Sequence, residues 1–268
     1  AERLEFQDGP AKPEHAGASP LAGIPTPDAR HDHGSAAWRA VEAAVVVLLA
    51  PACATCAAPL DRVTVGPVCE RCWSRISRLA PPVCYSCGDP LPSARSASGS
   101  RPVCAACESR PWSLDGARAV GAYEGVLRDL IHAMKFGGRR TLAHRLGDLL
   151  AHAGRDLVAG ADVSVPVPLH CTRLWARGYN QSADLAARLP LPVLHALRRR
   201  RRTGAQSALD ADARTANVSG AFALSRWGCW RGGIRKPWIR TRPLAGLTVV
   251  LVDDVSTTGA TLEACASS

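Results

Sequence analysis

Eight cysteines of this chain fall into four C-x2-C pairs: Cys53 with Cys56, Cys69 with Cys72, Cys84 with Cys87, and Cys104 with Cys107. Twelve residues separate the first two pairs and sixteen the last two. A C-x2-C knuckle offers two thiolates from one tight turn, and two knuckles complete the tetrahedral set of soft donors that zinc prefers. The spacing therefore predicts two closed sites, each holding a structural Zn2+ and neither leaving a position open for catalysis. Iron–sulfur or redox chemistry uses the same residue type, and ligation crossed between knuckles is compatible with the spacing. Gly88 directly after Cys87 suits the turn a knuckle needs, whereas Ala57 in the matching place predicts a less regular first knuckle. Cys171, Cys229 and Cys265 are left as the expected modifiable thiols.

A second constellation runs from Val249 to Thr261. An apolar strand ends at Asp253 and Asp254, and a turn of Ser256, Thr257, Thr258, Gly259, Ala260 and Thr261 then opens a helix. Such a turn presents backbone N–H groups and the positive end of a helix to an anion. The hydroxyls add donors and Gly259 permits close approach, so the 5′-phosphate of a sugar fits. Carboxylates beside a phosphate would repel it unless they address something else. Ribose hydroxyls are donors at the right remove, and Mg2+ would offset the charge. An acidic pair that merely caps a helix is the plainer reading of Asp253 and Asp254 taken alone.

The elements that must position these groups are legible in outline. Residues 1–35 lack apolar periodicity and read as a disordered tail, in which His31 and His33 read as solvated. Residues 36–51 read as a helix stopped by Pro51, and residues 52–110 as the double zinc module. Helical patterns follow over 123–136, 141–158 and 181–189, and valine-rich strands over 163–167 and 247–252. Strands alternating with helices predict an α/β domain with a mainly parallel sheet over 111–268. The 268 residues carry a formal charge of +10, mostly from arginine, with lysine only at Lys12, Lys135 and Lys236. Guanidinium forks match phosphate oxygens, which makes phosphorylated ligands or nucleic acid plausible partners, although a solvated basic surface has the same composition. Paired cysteines point to a reducing compartment, and no apolar run is long enough to span a membrane, so a cytoplasmic location is expected.

The string from Val249 to Thr261 resembles the phosphoribosyl pyrophosphate signature of type I phosphoribosyltransferases, and the whole arrangement resembles the ComF family associated with DNA uptake in competent bacteria. The resemblance extends to Tyr123-Glu-Gly, Lys135-Phe136-x-Gly138, Val165-Pro-Val-Pro168, Arg177-Gly-Tyr-Asn-Gln181, Thr203-x-x-Gln206 and Arg214-x-x-Asn217. It implies a Rossmann-like phosphoribosyltransferase fold that binds phosphoribosyl pyrophosphate with Mg2+. By position it implies a pyrophosphate loop over 166–181 and a mobile hood over 198–217. Arg173 and Arg177 then offer donors to a leaving diphosphate, and Asn180 and Gln181 orient its oxygens. The family continues beyond the signature with further elements, so the domain reads as C-terminally incomplete.

Two functions follow. One is transfer of ribose 5-phosphate to a nucleophile, although no Asp, Glu or His stands out as a base. The other is a non-catalytic protein that handles single-stranded DNA alongside DNA-uptake proteins and uses the pocket as a ligand sensor. Residues 224–242 form an insert in which Trp227, Trp230 and Trp238 alternate with basic residues. It reads either as a stacking platform for single strands or as an insertion foreign to the family.

Overall fold

The computed structural model describes residues 44, 51–60, 66–92, 101–109, 112–201, 218, 220–230 and 244–268. The tail at 1–35, all but one residue of the helix at 36–50, the hood beyond residue 201 up to 217, and the insert from 231 to 242 lie outside the described residues.

The two halves of the cysteine block are built alike. In the first knuckle the Ala57 N–H donates to the Cys53 carbonyl and the Cys53 N–H to the Ala58 carbonyl; in the second, Gly88 and Cys84 repeat this with Cys84 and Asp89. Helix α1 (Glu70–Ser74) follows Cys69 and α2 (Ala105–Ser109) brackets Cys107. Ala57 takes a φ of 57° and Gly88 one of 80°, so the expected irregularity of the first knuckle is not seen. The alanine accepts the left-handed conformation, at about 1–2 kcal/mol, because the paired backbone bonds close the turn around it.

Three helices follow: α3 (Gly125–Phe136), α4 (Leu142–Ala153) and α5 (Arg155–Val158). Leu127, Leu130, Ile131 and Met134 recur at helical spacing and are buried. They share one apolar cluster with Leu60, Val68, Trp73 and Ile76 of the first zinc half. Across that contact Arg145 makes two bonds to the Glu70 carboxylate, at 2.9 and 2.6 Å, and stands 4.6 Å above the Trp73 ring. The first half of the cysteine block is thus built into the core of the α/β domain.

The strands are β1 (Val163–Pro166), β2 (Leu194–Arg199), β3 (Phe222–Trp230) and β4 (Val249–Val252). β1 pairs parallel with β4, from Val163 opposite Val249 to Pro166 opposite Val252. β2 pairs antiparallel with β3, and a parallel bridge from Ser164 to Val193 joins the two pairs. The order is β4–β1–β2–β3, with α6 (Cys171–Arg177) and α7 (Gln181–Ala186) between β1 and β2 and α8 (Ala260–Ala266) after β4. Alternate side chains serve opposite faces: Val250 and Val252 join the cluster of α3 and α4, while Val249 and Leu251 join Val165, Ala196, Phe222 and Cys265 on the other. Burial on both faces explains the continuous valine runs.

Two expectations are corrected here. The insert read as starting at residue 224 begins inside a strand: β3 runs from Phe222 to Trp230, so the first residues of the insert are a sheet edge paired back to Leu194 and His195. Cys265 is buried rather than readily modified, and burial, reinforced by Asp253 and opposed by Arg199, pushes its thiol up to about 12. Cys171 is exposed.

Candidate functional site

Each set of four cysteines brings its sulfurs within 4.8 Å of one another. The Cys56 and Cys69 sulfurs lie 3.7 Å apart, and those of Cys87 and Cys104 3.8 Å. Tetrahedral ligands at a zinc–sulfur length of about 2.3 Å stand about 3.8 Å from one another, so the donors fit that ion. The pairing is sequential, one site per half, and ligation crossed between halves is excluded. Burial raises the Cys53 thiol, but N–H groups of Cys56, Cys69 and Thr55 more than offset it and bring the pKa to about 6. Cys84 reaches about 7 in the same way. Burial and neighbouring thiols push Cys72 and Cys87 up and Cys107 to about 11. Thiolates gathered this closely repel one another, which is the electrostatic demand a divalent ion answers.

The second centre forms where β1 and β4 end side by side. The Val167 N–H donates to the Val252 carbonyl at 2.9 Å, so the loops after the two strands leave from one edge. One continues toward β2 and the other toward α8. A crevice at the carboxyl ends of parallel strands, where connections diverge, is the usual ligand position in open α/β sheets.

Asp253 Oδ1 accepts from the Ser182 hydroxyl at 3.1 Å and from the Asp254 N–H at 2.9 Å. Burial first, and then the adjacent Asp254, raise its carboxyl to about 7, against the lowering effect of those two donors and of Lys135. Asp254 pairs with Lys135 at the end of α3, Nζ to Oδ1 2.9 Å, with both side chains largely covered. One negative charge is therefore matched, and a second finds a partner only in a further cation or in hydroxyl donors. Ser182 was not singled out from sequence, and Lys135 was named there only within Lys135-Phe136-x-Gly138, with no role at the acidic pair. The signal for Lys135 was that, in a chain with three lysines, one stands where arginine is otherwise used.

Ser256 and Thr257 are exposed, Thr258 and Thr261 half-buried, and Gly259 and Ala260 buried. Gly259 caps α8 with a φ of 71°. A Cβ there would lie 1.9 Å from the Trp112 indole, so the space over Gly259 is taken by a ring just beyond the second zinc half. Beside it the Ser113 N–H donates to both oxygens of Glu263 on α8, at 3.0 and 3.1 Å, and the Ser113 hydroxyl also bonds Glu263.

Asn180 and Gln181 take different roles. Asn180 caps α7 by accepting from the Ser182 N–H at 3.1 Å, and its Nδ2 donates to the Val167 carbonyl at 2.9 Å. It holds the loop after β1 to the start of α7. Gln181 is fully buried, and neither of its amide atoms has a hydrogen-bond partner among the described residues. Arg173 and Arg177 lie one turn apart on α6. Burial lowers the Arg177 guanidinium, with Asp254 acting in the opposite direction, and Arg199 at the end of β2 stands in the same relation to Asp253. The structure thus gathers Arg177, Arg199, Lys135 and Ser182 around the acidic pair.

These features define a double zinc ribbon fused into an α/β domain with a mainly parallel sheet and a cation-rimmed acidic pair at its strand ends. A family model described as "Double zinc ribbon domain" matches residues 44–108. The chain is 34% identical over 221 residues to the DNA utilization protein YhgH of Escherichia coli K12, covering 78% of this chain and 86% of that one. It is 30% identical over 205 residues to competence protein F of Haemophilus influenzae, covering 73% and 80%. No solved structure matches it. The chain belongs to the ComF family.

Proposed function

We propose that this protein binds phosphoribosyl pyrophosphate with Mg2+ at the ends of β1 and β4, transfers its ribose 5-phosphate, and serves the use of DNA, as the names of its relatives suggest for them. The observation that carries the reading is the strand–acidic pair–hydroxyl turn–helix from Val249 to Ala266, set against the loop that follows β1.

In this reading the N–H groups and hydroxyls from Ser256 to Thr261 receive the 5′-phosphate. Asp253 and Asp254 accept from the ribose hydroxyls, with Lys135 fixing the carboxylate of Asp254. Arg173 and Arg177 face the diphosphate as it leaves. Mg2+, bound with the diphosphate, supplies charge neutralisation next to the acidic pair. The bond from ribose C1 to the diphosphate oxygen breaks, a bond from C1 to the acceptor forms, and the acceptor gives up a proton.

Pyrophosphate release from phosphoribosyl pyrophosphate and Mg2+, measured with a panel of nucleobases and amines, tests the transfer. Release that needs an acceptor and is lost in Asp254→Asn supports it. Binding without release under every acceptor would leave a ligand sensor in place of a transferase.

A further inference from the structure

Among the described residues, a cavity of about 490 Å³ opens beside the end of β1, a size that suits a small molecule. Its wall is built by the loop after β1, by α6 and α7, and by β2. A parallel bridge sets Ser164 opposite Val193. His195 therefore stands level with Pro166, the last residue of β1, and Leu197 to Arg199 run on beyond it. The cavity thus lies at the carboxyl edge of the sheet, as the acidic pair does. Arg199 relates the two, since it lines the cavity and feels the charge of Asp253.

The lining is of two kinds. Pro168, Leu169, Leu174 and Leu197 supply an apolar part, which offers a diphosphate nothing and suits the body of an organic molecule. The polar part is basic: Arg140, His195, Arg198 and Arg199 line it, and no Asp or Glu does among the described residues. Arg140 is neutralised by Asp184, at 2.5 and 2.6 Å, and stands 5.5 Å above the Tyr179 ring. The Tyr179 hydroxyl donates to the Met134 carbonyl, so this end of the wall is held in place. Arg198 is placed differently. Its Nε donates to the Leu224 carbonyl at 3.4 Å, and it meets no carboxylate among the described residues. Its planar fork matches the two oxygens of a carboxylate. One guanidinium without a counter-charge calls for a single negative charge, which a carboxylate supplies and a phosphate exceeds. Arg173 and Arg177, which the transfer reading gives to the diphosphate, are not among the lining residues.

We infer that this cavity takes the acceptor of the transfer, a small organic molecule that carries a carboxylate, and that Arg198 binds that carboxylate. The inference rests on the transferase reading and names the chemistry of its second substrate. An acceptor nitrogen gives its lone pair to ribose C1, and the C1–oxygen bond breaks with its electron pair leaving on the diphosphate. A proton on that nitrogen passes to the departing diphosphate.

Cys171 lies on the cavity wall and is exposed, so its alkylation reports what occupies the space. The full zinc-loaded chain is treated with iodoacetamide, and labelling of the Cys171 peptide is followed by mass spectrometry with benzoate or benzamide present. Benzoate should slow the labelling and benzamide should not. Arg198→Gln should raise the benzoate concentration for half protection roughly tenfold, near the low end for a hydrogen bond to a charged group. Zinc content and thermal midpoint should be those of the parent, because Arg198 is exposed. Pyrophosphate release from phosphoribosyl pyrophosphate and Mg2+ is then compared between nicotinate and nicotinamide, and between anthranilate and aniline. It should be faster with the acid of a pair, and Arg198→Gln should raise KM for that acid with little change in kcat. Labelling indifferent to benzoate, or release that is no faster with the acids, would overturn the carboxylate site, and calorimetric binding of phosphoribosyl pyrophosphate would leave the ligand reading standing. If benzoate protects Cys171 but phosphoribosyl pyrophosphate neither binds nor reacts, the transferase reading falls and the acceptor role with it.

Discussion

The Trp112 indole covers Gly259, close enough that a Cβ on the glycine would sit 1.9 Å from the ring. The chain leaving the second zinc half therefore packs on the turn that opens α8, and Ser113 ties the same helix through Glu263. Gly259→Val should unfold this turn and abolish ligand binding. Trp112→Ala should remove the clash but not the cost of a left-handed side chain, about 1–2 kcal/mol. Gly259→Ala should accordingly be much less destabilising in a Trp112→Ala background than in the parent. Chemical denaturation of the four proteins measures that coupling, and additive effects would show that the ring does not constrain the turn.

The shared core predicts that the zinc ions hold more than their own loops. Elemental analysis should find two zinc ions per chain. Stripping them with a chelator should lower the thermal midpoint of the whole protein in one transition, because Trp73 and Ile76 lie in the cluster of α3 and α4. A second transition unmoved by the chelator would show that the α/β domain stands alone.

Much of this was legible in sequence and some was not. The cysteine spacing announces both metal sites because ligation is local. The valine strand ending at Asp253 and Asp254 announces the crevice because strand and turn are contiguous. Lys135 and Ser182 reach the acidic pair through tertiary packing, from 119 and 71 positions away in chain order (254 − 135 and 253 − 182), and no local pattern carries that. Trp112 was invisible for the same reason: the glycine signals a missing side chain without saying what fills the space. The Ala57 turn misled because propensity was weighed without the backbone bonds that override it.

Asp253 gives a pH signature. Its folded pKa of about 7 lies above the value of 3.8 for an unburied aspartate, so the folded state holds more protons between those values. Stability should fall as pH rises from about 4 to 7, by an amount on the order of a few kcal/mol, and level off above. Asp253→Asn should flatten that segment and raise stability at neutral pH. Denaturation of zinc-loaded protein at several pH values measures this; a slope identical in the variant would assign it to other groups.

Gln181 carries buried amide atoms with no partner among the described residues, a burden of about 1–3 kcal/mol. Gln181→Met, similar in shape, should raise the thermal midpoint. If the amide is kept for the ligand, the same variant should bind phosphoribosyl pyrophosphate more weakly. A lowered midpoint would mean that the amide is satisfied in the folded protein.

Calorimetric titration of phosphoribosyl pyrophosphate in Mg2+ into the zinc-loaded protein tests the central claim most directly, with ribose 5-phosphate and pyrophosphate as partial ligands. The account predicts one site per chain, tighter for the whole ligand than for either part. Asp254→Asn should weaken the whole ligand while sparing much of the affinity for ribose 5-phosphate, which is anchored by its phosphate at Ser256 to Thr261. No heat and no saturation for the parent protein, or binding that Gly259→Val and Asp254→Asn leave untouched, would contradict it.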